Sequence, residues 1–198
     1  MKNHSIRKIA YIGVLSALAA VAMVIKFPVP WAPTFYKMEF SEVICLIGGF
    51  ILGAPAAIAI EFVKIMVNFF LLDGTTTAGI GEISNFLMGC SFVVPATIIF
   101  RRKRTIQSAI AGVAVGTGSL IFVSCVLNYF LLIPTYAKVF GIPMSVIIGM
   151  GSAIFSSVDG LLSFVLTCVL TFNFSKGVIS AILGVLLFKY LPSKVKKI

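Results

Sequence analysis

Between residues 9 and 188 the chain is a succession of apolar runs, several close to the length an α-helix needs to cross a bilayer, which is about 20 residues. The runs lack the every-second-residue alternation of a membrane β-strand, so the crossing elements are helices. With 60% hydrophobic residues, 11% charged residues and a mean hydropathy of +1.12, the chain is not an ordinary soluble domain, which averages about 25% charged residues. Its 198 residues leave room for about six spanning helices and short connections. The expectation is a single all-α membrane domain over 1–198, with helices at 7–25, 41–53, 55–72, 80–100, 107–133 and 158–191.

The formal net charge of +10 reads as topology and not as a nucleic-acid surface. Basic residues gather at Lys2, Arg7 and Lys8, at Arg101 to Arg104, and at Lys189 to Lys197, all flanking apolar runs. Six crossings put both termini and the Arg101 cluster on one side, the cytoplasmic one; five or seven would split the terminal clusters across the membrane. The first run follows a basic start, as a signal peptide would, but further spans follow it, so it counts as a helix. Cys45, Cys90, Cys125 and Cys168 lie in apolar segments without CxxC spacing and read as packing residues, with no metal site.

Polar residues within the runs are few. Lys176 lies in an apolar stretch extending on both sides, where an ammonium costs about 3 kcal/mol or more unless it pairs, snorkels or faces a wet cavity. Asn173 is one turn away. Glu61, Lys64 and Asn68, spaced three then four, share a helical face; they form either an internal Glu61/Lys64 pair or a cavity lining. Glu82 and Asn85 open helix 4 after a glycine-containing turn, Asp73 to Gly79, and Asn128 nears the end of helix 5. In the six-span topology most of these groups fall in the outer half, beneath loops at 26–40, 73–79 and 134–152. That asymmetry favours an outward pocket over a continuous pore. Amides, an ammonium and aromatics such as Trp31, Phe35, Tyr36, Phe40, Tyr129 and Phe172 suit a planar heteroaromatic ligand. Glu82 and Glu61 are the candidate partners of Lys176.

The blocks FSEVICLIGGFILG at Phe40 to Gly53, VK at Val63 and Lys64, GTTTAGIGEISNFLMG at Gly74 to Gly89, LNYFLLIPTYAKVFGIP at Leu127 to Pro143 and FNFSKG at Phe172 to Gly177 resemble the substrate-binding S components of energy-coupling factor (ECF) vitamin transporters, specifically the riboflavin type. The resemblance implies a vitamin site closed by the first loop, and assembly in the cell membrane with a transmembrane coupling subunit and two cytoplasmic ATPases. It implies riboflavin as transported ligand, with no cofactor. Asn128, Asn173 and Lys176 would bond the flavin, with Thr77, Gly79 and Gly81 contributing from the turn before helix 4. Met38, Phe40, Lys64, Glu82 and Asn85 complete the candidate ligand set. Gly13 and Ala17 on helix 1 fit the spacing of an alanine pair that docks the coupling subunit, although glycine replaces the first alanine. Small residues recur at Ser16 and Ala20, and packing within the chain is the alternative for either pair.

Other readings follow from the residues. The absence of GxxxxGK[ST] means that ATP hydrolysis must come from partners, and the lack of HExxH, GxSxG or an intramembrane histidine disfavours an enzyme. An S component for a pyridoxine- or cobalamin-type vitamin, or a solo transporter coupling protons through Lys64, Glu61 and Lys176, are the alternatives.

Overall fold

The computed structural model describes residues 2–72 and 79–190, with side chains from residue 6 onward. The described chain is almost entirely helical: α1 (Lys2–Val24), α2 (Ser41–Leu52), α3 (Ala54–Leu72), α4 (Ile80–Lys103), α5 (Ile106–Val139), α6 (Met144–Ser152) and α7 (Leu161–Tyr190). A two-residue hairpin, β1 (Phe27–Pro28) with β2 (Lys37–Met38), pairs Phe27 with Met38 and orders the proline-rich segment after α1.

Among the described residues five helices, α1, α3, α4, α5 and α7, are long and apolar enough to cross a membrane; α2 is the shorter one. Its 12 residues rise about 18 Å against a hydrocarbon core of about 30 Å. The described residues therefore hold five full-length candidates where six spans were expected. α2 is nevertheless the hub: it packs on α1, α3, α4 and α7, and ten of its residues, from Ser41 to Leu52, are buried. An element apolar on all sides has to be surrounded. Its Gly48 and Gly49 leave space filled by Ile60 of α3 and Thr97 of α4. Gly53, at φ 101°, turns the chain into α3, and Arg101 closes the α2 end by donating from Nη1 to the Ile51 carbonyl at 3.0 Å.

The segment 134–152 departs from the expected loop. α5 runs through Pro134 to Val139 and α6 follows. Proline normally breaks a helix by removing a ladder donor and clashing with the preceding turn. Here a π turn at Asn128–Leu132 has already interrupted the ladder just before it, so Pro134 breaks nothing further. α7 begins at Leu161, later than the expected 158, because Ser163 Oγ accepts from the Asp159 and Gly160 amides at 3.0 and 2.9 Å and sets the start there.

The main core joins Ala19, Leu46, Phe50, Ile60, Phe92, Ala96 and their neighbours from six helices. A second cluster, including Ile133, Ile147, Phe164 and Cys168, joins α5, α6 and α7. Large apolar side chains such as Phe62, Phe70, Phe122 and Phe130 point outward, a distribution that water would penalise and lipid accepts.

Candidate functional site

α2, α3, α7 and the end of the 26–40 segment bring five charged groups together in the interior. Lys176 Nζ lies 2.8 Å from Glu39 Oε1 and 3.1 Å from Glu42 Oε1. Lys64 Nζ lies 3.3 Å from Glu42 Oε2 and 2.7 Å from Glu61 Oε2. The backbone N–H of Ser41 donates to Glu39 at 2.6 Å and its hydroxyl to Glu42 at 2.8 Å. Glu61 and Lys64 are 0% exposed and Lys176 is 9% exposed. Burying such groups singly would be prohibitive, so each is held by its neighbours. The partners of Lys176 are thus Glu39 and Glu42, not Glu82 or Glu61, and three of the six acidic residues converge although they look scattered along the chain. Between the two early readings of Glu61, Lys64 and Asn68, the internal Glu61/Lys64 pair is the one that forms. No group of His, Cys, Asp or Glu among the described residues is arranged to hold a metal ion.

The two candidate amides are presented in one local geometry. Asn128 opens the π turn of α5 and its Nδ2 donates to the Ser124 carbonyl at 2.8 Å. In α7 a π turn spans Val165–Val169, and Asn173 Nδ2 donates to the Val169 carbonyl at 3.0 Å. In each case an interrupted helical ladder carries an amide bonded four residues back, which fixes the orientation of the amide. A third π turn, Asn68–Leu72, ends α3 at another buried asparagine. Such turns concentrate at functional positions. No residue preference announces them, so the sequence could not place them.

The segment before α2 covers these amides. Tyr36 donates its hydroxyl to Asn128 Oδ1 at 2.6 Å, and its ring lies 5.2 Å from that of Phe172. Burial raises the Tyr36 phenol well above its ordinary range, so it stays a donor. Val29, Ala32 and Met38 pack with Phe172 in one cluster. Sequence reasoning missed Glu39, Glu42 and the Tyr36 bond. A glutamate at the first turn of an apolar helix was a signal for Glu42, but helix capping explained it as well.

The remaining candidates are more dispersed. Met38 is 1% exposed within the Phe172 cluster, and Phe40, half-buried, faces Phe27 at 5.6 Å between ring centroids. Gly79, at φ 85°, and half-buried Gly81 and Glu82 open α4. Asn85 Oδ1 and Asn68 Nδ2 are buried with no hydrogen-bond partner among the described residues. Lys64 is 0% exposed and paired with two carboxylates. Thr77, most of the turn before α4 and the basic tail lie outside the described residues. Helix 1 separates its two small pairs: Ser16 and Ala20 are buried, whereas Gly13 and Ala17 are exposed.

A family model described as "ECF transporter, substrate-specific component" matches residues 7–188. The riboflavin transporter RibU of Staphylococcus aureus is 31% identical over 192 residues, covering 97% of this chain and 94% of that relative. The riboflavin transporter FmnP of Bacillus subtilis is 26% identical over 183 residues, covering 92% and 90%. A solved structure of the S component of a bacterial ECF transporter superposes with a TM-score of 0.72 at 31% identity, covering 96% of this chain and 95% of that one.

Proposed function

The chain belongs to the substrate-specific components of ECF transporters, and we propose that it is the subunit that captures riboflavin at the outer face of the cell membrane and hands it to a coupling subunit driven by two ATPases. The single observation that carries the ligand assignment is the set of hydrogen-bonding valences left over at the site. Lys176 donates to Glu42 at 3.1 Å and is ion-paired to Glu39 at 2.8 Å, and of its three N–H groups keeps at least one. Asn128 spends one N–H on Ser124 and keeps the other; Asn173 does the same with Val169 and keeps Oδ1. The three donors and one acceptor so left are enough to complement the carbonyl, N–H, carbonyl edge of an isoalloxazine, and Phe172 and Tyr36 supply faces against which the ring can stack. The relatives named riboflavin transporters agree with that ligand.

Titrating riboflavin into the purified protein is expected to quench flavin fluorescence to a 1:1 endpoint. Absence of quenching, with binding of a pyridoxine- or cobalamin-type vitamin instead, would overturn the assignment. Uptake that persists without ATPase subunits would point to a solo transporter.

Two further parts of the reading concern topology and assembly. Counting α2 as a sixth, protein-shielded crossing puts both termini and Arg101 to Arg104 on the cytoplasmic side; reporter fusions at the two ends should both report cytoplasm. The exposed pair Gly13 and Ala17, with nothing within 4 Å of a Cβ at Gly13, suits close approach of another helix. Gly13→Leu and Ala17→Leu should each abolish uptake while leaving riboflavin affinity within about 2-fold, as expected of exposed positions. Loss of binding would mean that the face is structural.

A further inference from the structure

Glu61 and Lys64 form a charged pair on α3, each 0% exposed. Lys64 is a single turn from Glu61 on α3 and bridges it at 2.7 Å to Glu42 at 3.3 Å. Glu42 is also the carboxylate that holds Lys176 at 3.1 Å. The four groups form one line, Glu61, Lys64, Glu42, Lys176, running from the interior of α3 to the ligand-facing end, with Glu39 as a side branch on Lys176. α4 is shaped around its inner end, since a Cβ at Gly89 would lie 2.6 Å from Glu61 Oε2.

We propose that Lys64 and Glu61 are positioning residues for ligand binding, acting through Glu42 to set how tightly Lys176 is held. The argument is one of charge. Fully ionised, the group carries three carboxylates, Glu39, Glu42 and Glu61, and two ammoniums, Lys64 and Lys176, a net charge of −1 by that count. Because Lys64 shares Glu42, only part of that carboxylate's field acts on Lys176, which keeps a donor for the ligand. Without Lys64 the buried charge becomes −2 by the same count, and Lys176 becomes the sole counter-ion of all three carboxylates, a load that neutralising Glu61 lightens. A fully committed ammonium donates poorly to a neutral carbonyl. Glu61 is the counterweight: it keeps Lys64 from transferring wholly to Glu42. The inference deepens the ligand reading above and rests on its placement of Lys176 against the flavin.

The test is a charge rescue read as riboflavin affinity in purified, monodisperse protein. Lys64→Met is expected to weaken binding about 30-fold, the scale of removing one partner from a buried ion pair. Lys64→Met combined with Glu61→Gln restores the net charge to −1 by the count above, and is expected to return affinity to within about 10-fold of wild type, since removing both partners of a buried pair is often tolerated. A residue that merely fills space, or that touches the ligand, would not be rescued by changing its neighbour. A double variant no better than Lys64→Met therefore overturns the proposal. Should Lys64→Met fail to fold, the double variant decides alone: affinity within 10-fold supports the proposal, and weaker binding overturns it. Lys176→Met separates the two levels. If it binds like wild type, the placement of the ligand is wrong and the proposal falls with it. If it loses binding and rescue fails, only the positioning role falls.

Discussion

Replacing Lys176 with methionine is expected to weaken riboflavin binding about 10- to 150-fold, the equivalent of a lost charge-assisted hydrogen bond of about 1.5–3 kcal/mol. Methionine keeps most of the side chain's volume, so packing in α7 changes little. Two carboxylates, Glu39 and Glu42, lose the ammonium that now lies 2.8 and 3.1 Å from them. Lys64 still faces Glu42 at 3.3 Å, so Glu39 is the group left exposed to the full cost of burial. Part of the penalty should accordingly appear as lowered thermal stability, and Glu39→Gln in the Lys176→Met background should recover the stability without recovering affinity. Fluorescence-quenching titrations and melting curves measure the two separately. An affinity within about 3-fold of wild type, less than the loss of even a neutral hydrogen bond would cause, would show that Lys176 serves the fold alone.

The second large effect is expected from α5, where Gly112 and Gly116 lie one turn apart against α4. A Cβ at Gly112 would lie 2.5 Å from the Ala96 carbonyl oxygen, and one at Gly116 would lie 2.5 Å from that of Phe92. The obstructing atoms are backbone, which cannot rotate away as a side chain can, and this is the most extensively packed helix pair in the structure. Gly116→Leu must push the two helices apart, an overpacking cost of about 1–3 kcal/mol or more. The melting temperature should fall by about 5 °C or more, scaling that cost by the usual sensitivity of a domain this size. Riboflavin binding should weaken with it, because α5 carries Asn128. Gly118→Leu is the control: it is on the same helix, exposed, with nothing within 4 Å of its Cβ, and should melt within about 2 °C of wild type. Equal melting of all three proteins would remove close helix packing as the basis of this interface.

What could be read without coordinates and what could not divides along a physical line. The helical membrane class was legible because hydropathy is summed over each segment, and no tertiary contact can hide twenty apolar residues from water. Lys176 and Asn173 stood out for the same reason, since the cost of an ammonium in an apolar run is a property of the run. The helical nature of 134–152 was not legible, because Pro134 is a breaker by local rules and only the π turn before it makes it harmless. The short α2 was visible as short, but nothing in its residues says that four other helices surround it.

The site divides in the same way. Asn128, Asn173 and Lys176 were candidates from the sequence, whereas Glu39 and Glu42 were not assigned to them. Glu42 lies 134 positions from Lys176, and the pairing depends on α2 and α7 packing side by side. Lys64 was a candidate ligand contact from the sequence, which could not show that Glu42 and Glu61 both pair with it.

The sequence by itself determined that this chain crosses a membrane as helices and that a few polar groups must be kept from lipid, because transfer costs act on each residue wherever it lies in the fold. Only the tertiary structure decided how those groups neutralise one another: which carboxylates hold Lys176, and which partner takes the Asn128 amide oxygen. Ion pairs and hydrogen bonds act over about 3 Å, and a separation that short between distant residues exists only once the helices have packed.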